Sequence, residues 1–213
     1  MDKEGCVFLM PSSNSLRWPY TTQLNFMAIV DTLIPSSVGI FNSGWRLQYG
    51  GVELSIWEYL LMSFDNLPTP LSNEVSQLLD LSALYTKKEH YHSPFFIYNP
   101  HLCKGIFSKL SRKDRLTAIT RLDNLKIPLD ILPIPYKNNP ALLQITIDSL
   151  YQLTVFGYYS EWYGYGYTRY NPPSFRYLCT YPVTWSYTGY PGPSFAYRDF
   201  RGFLLNKSNL KSE

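Results

Sequence analysis

Residues 139–159, NPALLQITIDSLYQLTVFGYY, contain the clearest helix signal of the chain and lead into its most unusual segment. Asn139 is a preferred N-cap residue, and Pro140 fits the first helical position because its missing N–H has no intrahelical partner there. Gly157 predicts where this helix ends. Asp148 and several polar residues interrupt the apolar run, which indicates a buried helix rather than a membrane span. The apolar residues at helical spacing are Leu142, Leu143, Ile147, Leu150 and Leu153.

Upstream of this helix, apolar residues at helical spacing predict four more helices with proline-rich connections. We expect the first to run from a Thr22 cap to Ile34, and the second to cover about residues 52–64. The third should follow a Ser72 cap and end near Tyr85. The fourth should end near Lys126.

Two details of this upstream region can be tested directly. Ser111-Arg112-Lys113-Asp114 has the form of a capping box at the start of the fourth helix, whose Leu116, Ile119 and Leu122 should face inward. The glycines between residues 39 and 51 predict a loop, and no alternating pattern before residue 157 predicts a strand.

The fold class that follows is mainly α, with a compact body of about five helices over residues 1–156. Residues 157–213 form a long irregular Tyr/Gly/Pro-rich segment of the same domain. A length of 213 residues suits one domain, and 45% hydrophobic with 16% charged residues argues against intrinsic disorder.

The C-terminal segment is exceptionally aromatic. Residues 157–201 contain 11 Tyr, 2 Trp and 3 Phe, interrupted by five prolines and five glycines. So much aromatic surface predicts that the segment is ordered and lies on its own helical body, on another protein, or on both. Tyr, Trp and Arg are enriched in binding hot spots, and four arginines are interleaved here; they are Arg169, Arg176, Arg198 and Arg201.

Charge and cysteine content exclude several classes of partner. The net charge is only +3, and the basic stretch at residues 104–126 has no RNA- or DNA-binding motif, so we expect a solvated helix face and no nucleic acid. Cys6, Cys103 and Cys179 lie far apart, which favours free thiols in a reducing compartment over disulfides or a zinc site. The N-terminus resembles neither a signal peptide nor a twin-arginine leader, so we expect a cytoplasmic location, with export on a partner's signal as the alternative.

Candidate catalytic groups are few. His90 and His92 beside Glu89 have ligand-like spacing, but we expect no metal site. The chain has neither a P-loop nor a dinucleotide fingerprint. Glu161 stands among arginines and aromatics. We expect it to pair with Arg169. The alternative is a stand-alone enzyme that uses Glu161 as its catalytic carboxylate together with a tyrosine or an arginine.

Three motifs carry a resemblance to a known family. They are Ala28-Ile29-Val30-Asp31-Thr32-Leu33-Ile34-Pro35, the run from Gly157 to Arg169 (GYYSEWYGYGYTR), and the pair formed by 185–193 (WSYTGYPGP) and 197–202 (YRDFRG). These motifs resemble those of the gluconate 2-dehydrogenase subunit 3 family, most densely after residue 157.

The resemblance implies a small, non-catalytic subunit without a cofactor of its own. Its partner would be a larger FAD-dependent dehydrogenase of the glucose–methanol–choline type that oxidises a sugar, sugar acid or polyol. In many such complexes a cytochrome subunit takes the electrons onward. Many members carry a twin-arginine signal, which this sequence lacks. The residues expected to bind the partner or brace the segment are Tyr158, Tyr159, Glu161, Trp162, Tyr165, Arg169, Trp185, Tyr190, Tyr197 and Arg201, with turn glycines at Gly164, Gly166, Gly189 and Gly192.

A carbohydrate-binding module is an alternative from another class. Exposed Trp and Tyr rings stack on sugars, and Arg or Glu side chains bind sugar hydroxyls. The helical body counts against this alternative, because such modules are typically β-rich.

Overall fold

The computed structural model describes residues 18–41, 44–90 and 104–192, and this part of the chain is mainly helical. Its α-helices and strands are α1 (Tyr20–Leu33), β1 (Ser37–Phe41), β2 (Gly44–Gln48), α2 (Ile56–Asp65), α3 (Ser72–His90), α4 (Arg112–Asp123), α5 (Pro140–Tyr159) and α6 (Val183–Thr188). Short 3₁₀ helices cover Phe107–Lys109, Leu129–Ile131, Tyr163–Tyr170 and Pro173–Phe175. None of the described helices is long and apolar enough to cross a membrane.

One hydrophobic core joins the first five α-helices. Helix α1 packs against α2, α3 and α4, while α5 packs against α2 and α4. Complete burial of an aliphatic or aromatic side chain stabilises the fold by about 1.5–3 kcal/mol, so this core is the main source of stability. Its fully buried side chains include Phe26, Ile29, Leu60, Leu61, Leu78, Leu79, Ile119, Leu122, Leu143, Ile147 and Leu150.

Helix α5 begins as the sequence predicts and ends later than predicted. The Asn139 side chain accepts a hydrogen bond from the Leu142 N–H at 3.1 Å, and Pro140 occupies the first helical position. The predicted end at Gly157 is wrong, because the helix continues to Tyr159. Gly157 lies where α5 meets α2: a Cβ there would be 2.7 Å from Cδ1 of Tyr59. This glycine permits close helix packing rather than ending a helix.

Helix α4 has the predicted capping box, since Ser111 Oγ accepts the Asp114 N–H at 3.2 Å. The inward-facing role predicted for Leu116 is wrong, because its side chain is exposed. Arg115 takes the position facing α1 instead, where its guanidinium donates to the Ala28 carbonyl at 2.6 Å and pairs with Asp31 at 3.0 Å. A cation at the C-terminal end of α1 complements the helix dipole.

The other predicted helix boundaries shift by several residues. Helix α1 begins after Pro19, so the predicted Thr22 cap is wrong; the Thr22 hydroxyl donates to Asn73 on α3 at 3.0 Å. Helix α2 begins at Ile56, because turns occupy residues 51–55. Helix α3 continues beyond the predicted end at Tyr85.

An antiparallel hairpin replaces the predicted glycine-rich loop. Val38 pairs with Leu47 and Gly39 with Arg46 in its register. The glycines at 39 and 44 weaken strand propensity, but Val, Ile, Phe and Trp around them favour it, and pairing satisfies their backbone groups. The expectation of no strand before residue 157 is therefore wrong.

A Gly157→Ala substitution should lower the free energy of unfolding by about 1–3 kcal/mol. The new methyl group would overlap Tyr59 and force α2 and α5 apart, which outweighs the better helix propensity of alanine. Urea unfolding followed by Trp fluorescence measures the effect.

Gln152→Ala, at an exposed position of the same helix, is the matched control and should change stability by less than about 0.5 kcal/mol. Equal effects of the two substitutions would contradict the close-packing role of Gly157.

Candidate functional site

The aromatic segment after α5 is more regular than its sequence predicts. Residues 163–170 form a 3₁₀ helix that breaks at Gly166, where φ is 52° and ψ is −128°, and α6 follows at residues 183–188. The prediction of an irregular segment is therefore wrong for these two stretches. Tyr197 and Arg201 lie outside the described residues.

A buried ion pair attaches this segment to the helical body. Arg169 Nη2 lies 2.8 Å from Glu58 Oε2, and the two side chains are only 7% and 8% exposed. Glu58 sits in the first turn of α2, where the positive end of the helix dipole favours a carboxylate. The predicted pairing of Arg169 with Glu161 is wrong: the Glu161 carboxylate accepts a hydrogen bond from the Tyr165 hydroxyl at 3.0 Å.

Tyr170 completes this buried group. Its hydroxyl donates to Glu58 Oε2 at 2.5 Å and accepts from Arg169 Nη2 at 3.1 Å. Burial, reinforced by the hydrogen bond to Glu58, raises the pKa of Tyr170 to about 12, against the opposing effect of Arg169. The tyrosine therefore stays neutral and keeps the proton that it donates to Glu58.

Trp162 also contacts the start of α2. Its indole N–H donates to the Ser55 carbonyl at 2.9 Å, and its ring contacts Tyr59 edge-on at 5.4 Å between centroids. The Arg169 guanidinium carbon lies 5.7 Å from the Trp162 ring centroid, within the range of a cation–π interaction. We call Glu58, Trp162, Arg169 and Tyr170 the buried anchor.

A second cluster surrounds Trp185, which is 4% exposed. Its indole N–H donates to the Tyr159 carbonyl at 2.9 Å and so ties α6 to the end of α5. Tyr181 and Tyr190 contact the Trp185 ring edge-on at centroid distances of 5.1 and 4.9 Å, and the Tyr181 hydroxyl donates to the Tyr190 carbonyl. We call these three residues the Trp185 cluster.

Tyr158 connects the end of α5 to the chain after the hairpin. Its hydroxyl donates to the Tyr49 carbonyl at 2.8 Å, while the Tyr49 N–H donates to the Tyr187 hydroxyl at 3.4 Å. Burial, with smaller contributions from Tyr187, Tyr159 and Glu53, raises the pKa of Tyr158 to about 12.

The predicted turn glycines have two different roles. Gly164 is needed for space: a Cβ there would lie 2.7 Å from the Thr180 carbonyl oxygen, and the Gly164 carbonyl itself accepts the N–H groups of Cys179 and Thr180. The other three have positive φ, as expected for left-handed turns; they are Gly166, Gly189 and Gly192.

Several aromatic side chains near the buried anchor and the Trp185 cluster remain exposed to solvent. We define the aromatic face as the four exposed tyrosines that lie around Tyr158 and Trp185, namely Tyr159, Tyr181, Tyr187 and Tyr190. Residues 177–192 contain no charged side chain. Aromatic enrichment with depletion of charge is typical of the centre of protein–protein interfaces.

The predicted site residues thus divide into two groups. Trp162, Arg169, Trp185 and Tyr158 are buried, whereas Tyr159 and Tyr190 are exposed. Glu161 and Tyr165 are half-buried and bonded to each other.

Sequence reasoning missed four residues, namely Glu58, Tyr170, Tyr181 and Tyr187. One signal was available for Glu58: it lies four residues after Leu54 and three before Leu61, on the apolar side of α2, where a carboxylate requires a cationic partner.

Metal-binding arrangements are not evident in the part of the chain that the structure describes. There, no three His, Cys, Asp or Glu residues lie close enough to hold a metal ion. The side chains of Glu89, His90 and His92 lie outside the described set. The Glu161 carboxylate accepts a hydrogen bond from the Tyr165 hydroxyl, and a tyrosine was one of the two partners, with an arginine, considered for a catalytic Glu161.

Comparison of the chain with models of known protein families, with curated proteins and with solved structures finds no match. The resemblance of the C-terminal motifs therefore enters the question of function as a hypothesis.

Arg169→Met should lower the free energy of unfolding by about 3–5 kcal/mol, because it leaves the Glu58 carboxylate buried without its cation. The double variant Glu58→Leu/Arg169→Met should recover a large part of this loss, since the uncompensated charge is removed. Urea unfolding of the single and double variants measures both effects.

Arg176→Met is the matched control, because Arg176 is less buried and its Nε donates to the neutral Asn171 carbonyl rather than to a carboxylate. Its effect should stay below about 1.5 kcal/mol. A double variant that is less stable than Arg169→Met would argue against the ion pair as the cause.

The raised pKa values of Tyr158 and Tyr170 predict a loss of stability in alkali. Each pKa rises from 10.0 in the unfolded chain to about 12 in the folded protein. The stabilising contribution of each neutral hydroxyl is therefore complete below pH 10 and is lost as the pH rises through 12. Tyr158→Phe should make stability fall less steeply between these values, as measured by urea unfolding at a series of pH values. An unchanged slope would show that Tyr158 titrates normally.

Proposed function

We propose that this chain is a non-catalytic accessory subunit that binds, and stabilises or matures, an FAD-dependent sugar, sugar-acid or polyol dehydrogenase of the glucose–methanol–choline type. The observation that carries the binding part of this proposal is the uncharged, exposed aromatic face held on a helical body by the buried anchor. The nature of the partner rests on the resemblance of the motifs at residues 28–35 and after residue 157.

The architecture supports a binding role over a catalytic one. The Arg169 guanidinium is committed to Glu58, and the Tyr170 hydroxyl is committed to the same carboxylate. A catalytic role for Glu161 would therefore have to use the Tyr165 hydroxyl, to which its carboxylate is hydrogen-bonded, rather than Arg169. FAD would belong to the partner, and a cytochrome subunit would be a third component. In this proposal the complex lies in the cytoplasm, unless a partner's signal exports it.

Burial of the tryptophans favours a protein partner over a sugar. Indole rings are the strongest stacking platforms for sugars, yet the four tryptophans whose side chains are described are all buried; they are Trp18, Trp57, Trp162 and Trp185. The aromatic face also offers no charged or amide side chain to bind sugar hydroxyls.

The test is purification of the tagged full-length chain from its native source, followed by a denaturing gel and an absorbance spectrum. We expect a second, larger chain and the absorbance of oxidised flavin in the blue region, bleached when the right sugar, sugar acid or polyol is added. A panel of such substrates then identifies the reaction.

Arg169→Met serves as the control in that purification, since loss of the buried anchor should release the aromatic segment and reduce the amount of partner recovered. Recovery of the chain alone, without flavin, would overturn the proposal. A change in Trp fluorescence with millimolar sugar would then favour the carbohydrate-binding alternative.

A further inference from the structure

Tyr167 and Tyr177 form a contacting pair of solvent-exposed tyrosines. Their hydroxyl groups are hydrogen-bonded to each other, and their rings meet edge to face with centroids 6.3 Å apart and an interplanar angle of 87°. Tyr167 is 55% exposed and Tyr177 is 53% exposed. The structure therefore places two phenols in mutual contact at a position that a reagent in solution reaches.

Backbone contacts hold this pair in place. The Thr168 side chain is completely buried, and its hydroxyl accepts the Tyr177 N–H at 3.3 Å and lies 3.0 Å from the Tyr177 carbonyl oxygen. Two residues further on, the Cys179 N–H donates to the Gly164 carbonyl at 2.8 Å. The chain around Tyr177 is therefore held alongside the 3₁₀ helix that carries Tyr167. Groups that are held together before they react avoid the entropy cost of a bimolecular encounter.

The loop between the two tyrosines is ordered by local interactions. Pro172 and Pro173 each fix a backbone φ angle. The Arg176 Nε donates to the Asn171 carbonyl at 2.8 Å within this loop. Residues 167–177 thus form a closed loop whose two ends meet at the phenol rings.

Two phenols in this arrangement are suited to oxidative coupling. One-electron oxidation of a phenol removes an electron and the hydroxyl proton, and it leaves a radical with unpaired density on the oxygen and the ortho carbons. Each ortho carbon is two bonds from its hydroxyl oxygen, so contact between the hydroxyls also brings ortho carbons of the two rings close together. The same contact gives the departing proton an acceptor oxygen, from which it passes to water.

We propose that Tyr167 and Tyr177 are a modification site at which a haem peroxidase and hydrogen peroxide form an intrachain dityrosine. Two one-electron oxidations convert both phenols to phenoxyl radicals, whose ortho carbons join in one C–C bond. The two ortho hydrogens then leave as protons, and two protons return to the oxygens, so both hydroxyls and both aromatic rings are restored. In total the chain loses two electrons and two protons, which convert one hydrogen peroxide molecule to two water molecules.

The crosslink closes the loop 167–177 covalently. A covalent link between two positions of a chain restricts its unfolded state, as a disulfide does. The crosslinked protein should therefore unfold at a higher temperature than the original chain, and its aromatic segment should stay joined when the loop is cut after Arg176.

Oxidation of the purified full-length chain by a haem peroxidase and hydrogen peroxide tests the site. We expect the blue fluorescence of dityrosine in the monomeric band of a denaturing gel. Peptide mapping by mass spectrometry should find positions 167 and 177 joined, with the loss of two hydrogen atoms. Because groups on one chain have an effective concentration of about 1 mM or more, the intrachain yield should be the same at about 1 and 10 μM protein.

Removal of either hydroxyl tests the pairing. Tyr167→Phe and Tyr177→Phe each keep the ring, and each should lower the intrachain dityrosine yield by about tenfold or more. Tyr20→Phe is the matched control, because Tyr20 is 72% exposed on α1, and its yield should equal that of the original chain. Thermal unfolding before oxidation shows that each variant is folded, and if one of the pair variants is unstable, the other decides the question.

Three results would overturn this proposal. The first is an equal yield of intrachain dityrosine from Tyr167→Phe and from the original chain. The second is a crosslink that maps to other tyrosines instead, or that forms only between chains. The third is the absence of dityrosine under conditions in which the same peroxidase couples free tyrosine. None of these results bears on the proposed accessory-subunit function, because the site requires no partner subunit.

Discussion

The ion pair between Arg169 and Glu58 joins the aromatic segment to the helical body, and the positions of the surrounding aromatic residues depend on it. Removing two charges from water is expensive, so the pair is stable only with additional hydrogen bonds. The Tyr170 hydroxyl supplies one of these, and the first turn of α2 supplies a favourable dipole. Trp162 covers the guanidinium and bonds to Ser55 at the start of the same helix. Together these polar contacts fix the segment at the start of α2.

Once this contact is fixed, the rest of the segment is constrained by close approach and by indole hydrogen bonds. Gly164 lets residues 178–182 pass over the 3₁₀ helix, and Trp185 binds the end of α5. Several tyrosines close to these buried groups in the sequence are exposed to solvent. Rigid support and exposed rings thus arise from the same packing, which links the stability of the segment to the proposed binding of a partner.

Sequence reasoning was accurate where a local interaction decides the structure. The Asn139–Pro140 helix start and the Ser111 capping box are both confirmed, because each depends on residues within four positions. Sequence reasoning was inaccurate where packing against residues distant in the sequence determines the structure. Gly157 is typical of a helix end, but it lies inside α5 because α2 packs closely against it. Leu116 is exposed, and the neighbouring Arg115 faces α1 because the Ala28 carbonyl accepts its hydrogen bond. The hairpin was not predicted because glycine has a low strand propensity, and because the pairing of the two strands is not apparent from either strand alone.

By itself, the sequence determined the mainly helical class, the starts of α4 and α5, and the concentration of aromatic residues after residue 157. These follow from spacing, capping and composition, which are properties of short stretches. Only the tertiary structure decided that Arg169 pairs with Glu58 rather than Glu161, that Trp162 and Trp185 are buried, and that Tyr181, Tyr187 and Tyr190 are exposed. Tyrosine and tryptophan suit a core and an interface equally well, so their roles depend on which atoms the folded chain places around them.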